Sequence, residues 1–147
     1  MTRPVPVADA LSAPFWEAAR NNILAVQRCA GCHRYQFPPN KLCVFCLGAD
    51  LTFEPVSGKG TVESYSMTVS GARHPYFSGQ APYIVGVVEL QEQKRLLIYA
   101  NLTASDGTRI RCGAPAVVYF ERIGDGVVIP QFRVATSACG AAEAGHE

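Results

Sequence analysis

The chain has 147 residues, 48% of them hydrophobic and 17% charged, and a formal net charge of +1. That length suits one ordinary domain, or a small metal module joined to a compact barrel, and the apolar fraction is enough for a real core. Residues 1–54 carry +1, residues 55–134 carry +2 and residues 135–147 carry −2, so no basic stripe exists to track a phosphate backbone, and no apolar run approaches the ~20 residues of a bilayer-spanning helix.

Residues 1–9 are proline-rich and lack periodicity, which predicts an extended arm. Ser12 is placed to cap a short helix that tolerates Pro14 in its first turn. Phe15, Trp16 and Ala19 share one face of 15–22 at helical spacing. That face is large for so short a helix. It predicts either a partner-facing surface at Phe15 and Trp16 or docking on the chain's own next module.

The most informative stretch follows. Cys29 and Cys32 form one C-x-x-C and Cys43 and Cys46 form another. Each pair can bend into a knuckle that aims two thiolates at one ion, and two knuckles make the four-sulfur tetrahedral shell of a structural metal site. The ten residues between the pairs suffice to run out along one strand and back along another, as in a zinc ribbon over 23–54. Strands are expected at 23–27, 35–37 and 51–54, with Pro38 and Pro39 breaking the second. Two disulfides are the structural alternative, but C-x-x-C disulfides close very small loops and stabilise little. Cys29-Ala30-Gly31-Cys32-His33 also spells the haem attachment motif. Haem attachment requires export, the N-terminus carries no export signal, and the second pair would go unexplained. The shell itself suits zinc or iron, and the spacing does not choose between them. The absence of an export signal predicts a cytoplasmic protein with reduced thiols, and Cys112 and Cys139 are expected to be inert.

From residue 55 the pattern is β, after a boundary at 55–59. A long strand is predicted at 60–69. Its apolar phase shifts between Val62 and the Tyr65, Met67, Val69 set, which calls for a bulge. A loop at 70–82 follows, then apolar strands at 83–90 and 96–101 joined by a turn at 91–95. Strands at 116–121 and 127–132 form a hairpin around Gly124-Asp125-Gly126. Five strands, the first long and coiled, fit a small Greek-key OB-type barrel over 55–134, with a flexible tail at 135–147. Tyr65, Tyr83, Tyr99, Tyr119 and Phe120 are expected in the barrel core. A single-stranded nucleic-acid binder, for which they would be stacking platforms, is the alternative that the near-neutral charge disfavours.

The order of short aromatic helix, four-cysteine ribbon and five-strand barrel resembles the zinc-ribbon OB-fold proteins associated with acyl-CoA metabolism. The resemblance rests on Gln27-Arg28-Cys29-Ala30-Gly31-Cys32, on Phe37-Pro38-Pro39 and on Cys43-Val44-Phe45-Cys46. Ser57-Gly58-Lys59-Gly60-Thr61-Val62, the stretch from Ala81 to Leu90, and Ile129-Pro130-Gln131-Phe132 support it. Members are accessory subunits of thiolase-like enzymes, among them archaeal acetoacetyl-CoA thiolase complexes, steroid side-chain aldolases and the benzoylsuccinyl-CoA thiolase. Others pair with MaoC-type enoyl-CoA hydratases. The resemblance therefore implies one structural Zn²⁺ and a thiolase-fold partner that carries the catalysis, as in an α₂β₂ hetero-oligomer. It also implies an acyl-CoA substrate held mainly by that partner. Two positions depart from the family: His33 stands where Gly often follows the second cysteine, and Gln91-Glu92-Gln93 replaces a Gly-containing turn.

No catalytic residue is assigned to the chain itself. All four ribbon thiolates are committed to the metal, so no open coordination position is left for water. Of the three histidines, His33 abuts the ribbon and His146 lies in the tail. His74 falls in the loop 70–82, together with Arg73, Tyr76 and Phe77. That loop is long for a barrel connection. Arg73 could pair with a phosphate or carboxylate, and Tyr76 and Phe77 could wall an acyl pocket or anchor in a partner.

Overall fold

The computed structural model describes residues 2–104 and 109–135. The tail assigned to 135–147, with Cys139 and His146, therefore lies outside the described residues except for Ala135. Helix α1 (Ala13–Arg20) leads into a three-stranded sheet of β1 (Ala25–Cys29), β2 (Tyr35–Gln36) and β3 (Leu51–Pro55). The chain continues through β4 (Lys59–Thr68), a short helix α2 (Pro75–Ser78), β5 (Tyr83–Leu90), β6 (Leu97–Ala104), β7 (Pro115–Gly124) and β8 (Val127–Val134).

Ser12 stands at the N-cap of α1 but does not cap it with its side chain. Instead it pairs with Asp9, whose Oδ1 accepts from both the Ser12 N–H and its hydroxyl at 2.7 Å. Those bonds hold the Asp9 carboxyl below its usual range. The helix ends earlier than the spacing predicts. Asn22 takes φ 58°, and the Asn22 and Ile23 N–H groups donate back to the Ala19 and Ala18 carbonyls. This is a left-handed C-terminal cap, which Asn tolerates better than most residues.

In the first sheet β1 is central, pairing antiparallel with β2 and β3. Strands β4 to β8 close into a barrel in the order β4-β5-β6-β8-β7, the five-strand OB arrangement. The bulge that the phase shift predicts lies between Val62 and Ser64. The turn at Gly124-Asp125-Gly126 also forms, with φ 71° at Gly126. Strand β6 runs beyond its predicted end because residues 102–104 pair in parallel with residues 132–134 of β8, a long-range bond that no local pattern announces.

The core is aliphatic. Val62, Val88, Leu90, Leu96, Ile98, Leu102, Phe132 and Val134 fill the barrel, and Phe15, Leu24 and Val26 join the same cluster from the helix and the first sheet. Two expectations are corrected here. The expected partner-facing position Phe15 is only 5% exposed and turns inward, its ring 5.3 Å from Phe37, while Trp16 stays half-buried at the surface. Nor do the tyrosines form the core. Tyr99 sits between buried Ile98 and Ala100, so strand alternation points it outward at 72% exposure. Tyr119 likewise faces away from Phe120, which packs on the core. Of the five aromatics expected inside, only Phe120 joins the cluster.

Candidate metal centre

Both knuckles are built alike. In the first, the Gly31 N–H donates to Cys29 Sγ at 3.3 Å and the His33 N–H to the Cys29 carbonyl at 2.9 Å. In the second, the Phe45 N–H donates to Cys43 Sγ at 3.4 Å and the Leu47 N–H to the Cys43 carbonyl at 2.9 Å. The residue after each second cysteine, His33 or Leu47, takes a left-handed conformation, with φ 63° and 62°. Glycine reaches that region without steric cost. The departure at His33 is thus a side chain carried at a position whose backbone favours Gly.

The four sulfur atoms lie within 4.8 Å of one another. Cys29 approaches Cys46, and Cys32 approaches Cys43, each at 3.6 Å. A disulfide would need about 2.05 Å. An ion bound by four thiolates at ~2.3 Å separates them by about 3.8 Å, so the residues present fit a tetrahedral metal. The Gly31 and Gly48 Cα atoms lean over the sulfurs: a Cβ on Gly48 would come within 3.3 Å of Cys46 Sγ. The cage is electrostatically uneven. A hydrogen bond from the Cys46 N–H draws the Cys43 thiol down to about 7, with further help from Phe45 N–H. At Cys46 the Gly48 N–H pulls downward, but the neighbouring Cys29 sulfur, burial and the sulfurs of Cys43 and Cys32 outweigh it and push the thiol up to about 11. Among the described residues, this is the one cluster of His, Cys, Asp or Glu that could hold an ion. Its four thiols draw on both pairs, which the haem reading of Cys29 to His33 leaves unexplained.

Two residues outside the cysteine pattern hold the second knuckle in place. Gln27 and Gln36, opposed across β1 and β2, are each 4% exposed. Gln36 Nε2 donates to Gln27 Oε1 at 2.8 Å, and that oxygen also accepts from the Asn40 N–H. Gln27 Nε2 donates to the Asn40 carbonyl, and Gln36 Oε1 accepts from the Val44 N–H at 2.9 Å. The irregular chain between the knuckles is thereby tied to the sheet through fully satisfied buried amides. A polar residue at an inward strand position was the available signal. The turn that departs from the family joins the two modules. Gln93 brackets the Tyr35 backbone with two 2.8 Å bonds, and Glu92 accepts from Ser57. The first clips the barrel to the ribbon, and the second holds the stretch between β3 and β4 against the barrel turn.

The loop 70–82 divides its candidates. Tyr76 and Phe77 line a cavity of about 620 Å³ at the barrel mouth, with Arg3, Tyr65, Arg109 and Tyr119. Arg73 is exposed and does not line it. His74 caps α2, its Nδ1 accepting from the Tyr76 N–H at 3.2 Å. Arg3, absent from the sequence-based candidates, pairs with Glu121 at 2.7 Å and lies 5.9 Å over the Tyr76 ring. It also borders a second, more apolar cavity of about 600 Å³ walled by Trp16, Phe37, Phe77, Tyr99 and Pro130. Among the described residues, no helix is long and apolar enough to cross a membrane.

Comparison with known proteins agrees with this architecture. A family profile described as the ChsH2 rubredoxin-like zinc ribbon domain matches residues 16–52, and one described as the ChsH2 C-terminal OB-fold domain matches residues 53–121. The chain is 34% identical over 133 residues to a probable enoyl-CoA hydratase alpha subunit of Thermomonospora curvata, matching 90% of this chain but 40% of that protein. It is 30% identical over 115 residues to a DUF35 domain-containing scaffold protein of Methanothermobacter thermautotrophicus, spanning 84% of it. A shorter match to a Methanocaldococcus jannaschii scaffold protein covers 48% of that relative, so the chain spans less than half of the relatives from Thermomonospora and Methanocaldococcus. Among solved structures, a chain of the Ltp2-ChsH2(DUF35) aldolase superposes with a TM-score of 0.76 at 31% identity, over 88% of this chain and 98% of that one. A Sulfolobus solfataricus DUF35 protein shares the fold at a TM-score of 0.59 and 14% identity. By its matched ribbon and barrel, and by two relatives of which it spans 84% and 98%, the chain belongs to the DUF35 family, in the ChsH2-type form of a zinc ribbon followed by an OB-fold.

Proposed function

We propose that this chain is a non-catalytic, zinc-binding accessory subunit of a hetero-oligomeric enzyme that makes or cleaves a carbon–carbon bond beside an acyl-CoA thioester. The observation that carries the reading is the likeness, over 98% of its length, to the DUF35 chain of an aldolase. The site chemistry supports it. One Zn²⁺ held by Cys29, Cys32, Cys43 and Cys46 has no position left for water or substrate, so it shapes the fold and performs no hydrolysis. Catalysis then falls to a partner, for which a thiolase fold is our assignment, in an α₂β₂ type assembly. The half-buried Trp16 and the Tyr76 and Phe77 edge of the loop 70–82 are the contacts we assign to that partner or to the acyl group it holds, with Arg73 and His74 at the exposed end of the same loop.

A second reading, an accessory subunit of an enoyl-CoA hydratase, is favoured by the Thermomonospora relative. Purification of the tagged chain from its native host, followed by mass identification of what accompanies it stoichiometrically, separates the two. A thiolase-fold companion with aldol or thiolytic turnover supports the first reading, and a hydratase companion with hydration activity supports the second. Turnover of an acyl-CoA by the isolated chain would overturn both.

A further inference from the structure

The second half of β4 is unlike the rest of the barrel. Its first residues, Lys59 to Thr61, pair with β7, and the Val62 backbone exchanges bonds with Gly113 and Ala114. Past the bulge, Ser64 to Thr68 pair with β5 along one edge. Among the described residues no strand pairs with the other edge. Residues 63–67 are all exposed and Thr68 is half-buried. Tyr65, Met67 and Val69 alternate along one face at 40%, 53% and 67% exposure, while Ser64, Ser66 and Thr68 take the other. Here β4 is an edge strand: β5 backs it and pairs on with β6 as far as Val85, and at Met67 and Thr68 only β4 and β5 remain paired, a two-stranded end that is marginal in water by itself. Proteins ordinarily guard such an edge with lysine, proline or an inward charge, and none interrupts residues 64–69.

We propose that this free edge, residues 64–69, receives an extended segment of the catalytic partner subunit, apolar at every second position, which pairs with the β4 backbone and seats its apolar side chains on Tyr65, Met67 and Val69. This rests on the accessory-subunit reading and adds to it the place and manner of contact. A cavity adjoins the edge: Tyr65 and Met67 line it together with Tyr119 and Glu121 of β7. A single extended strand is slim enough to enter between two strands of one barrel, whereas a second copy of the barrel is not.

The test uses the complex of the chain with its identified catalytic subunit. Hydrogen exchange of residues 64–68 is expected to slow by about a hundredfold or more in the complex, as outward amides gain partners. Met67→Glu is expected to weaken the complex by roughly thirtyfold with zinc content and melting temperature unchanged. Val117→Glu, on the exposed face where the barrel is closed, leaves affinity as it was. Wild-type affinity in Met67→Glu, or amides 64–68 that exchange equally fast in both states, overturns the inference and leaves the accessory reading standing. Protection of the same amides in the free chain, rising with its own concentration, overturns it in favour of a second copy. A wild-type chain that holds no catalytic subunit removes this inference and the accessory reading together.

Discussion

The inward turn of Phe15 can be measured directly. Its ring lies 4.9 Å from Trp16 and 5.3 Å from Phe37, in one cluster with Leu24 and Val26. Replacing a buried phenylalanine by alanine costs about 3–5 kcal/mol, and a helix of eight residues has no stability of its own to absorb the loss. With a urea slope of about 2 kcal/mol per molar, Phe15→Ala should lower the unfolding midpoint by about 1.5–2.5 M. Trp16 is the single tryptophan and touches the altered site, so its fluorescence reports the transition. Far-ultraviolet circular dichroism follows the barrel in parallel, with zinc saturating throughout. A side chain reserved for another subunit would leave the isolated chain untouched. An unchanged midpoint at unchanged slope therefore refutes the packing argument.

Cys32→Ser should abolish stoichiometric zinc by elemental analysis and unfold the ribbon, because a structural zinc contributes about 10–16 kcal/mol, as much as or more than a domain's whole stability; retention of one zinc per chain would contradict the four-thiolate site. Protons compete with metal for thiolates, so zinc affinity falls as pH falls. Cys46, pushed up to about 11, releases a proton on binding throughout the neutral range, whereas Cys43, drawn down to about 7, adds its own increasingly as the pH falls through neutrality. A chelator competition series across about pH 6–8 should steepen by up to one proton on the acid side, and a constant slope would count against the uneven cage. His33→Gly relieves a left-handed side chain and should stabilise the ribbon by up to about 1 kcal/mol in thermal melts; a loss of stability would mean that the imidazole makes a contact outweighing the strain. Gln36→Leu strands the Val44 N–H and part of the Gln27 amide, and should cost about 1–3 kcal/mol for each buried group left unpaired, read as a lower midpoint in the same urea assay. A midpoint equal to wild type would show that the second knuckle holds without its clamp.

What could be read from the residues was what short spacing determines. A C-x-x-C knuckle closes on itself within a few residues, so Cys29, Cys32, Cys43 and Cys46 declared the cage before any fold was known. The bulge near Val62 and the turn at Gly124-Asp125-Gly126 were legible for the same reason, one as a break in a two-residue period and the other as turn chemistry. What escaped depends on partners far away in the chain. The extension of β6 needs β8, the Arg3 ion pair spans 118 residues to Glu121, and the inward turn of Phe15 needs Phe37. The tyrosines misled because aromatic residues are common both inside and outside small barrels, and only strand alternation against neighbours such as Ile98 and Ala100 decides which way each one points. Gln27 and Gln36 carried a local signal, polar side chains at inward positions, that becomes a clamp only when the two strands are laid side by side.

That clamp has a bearing on how the cage comes together. Although the knuckles match bond for bond, Cys29 lies in β1 itself, whereas the second knuckle stands between the two amides on one side and, from Leu51, β3 on the other. The two halves of the cage thus share one small sheet as their foundation, and the glutamines carry the second half's alignment back to the strand that bears the first.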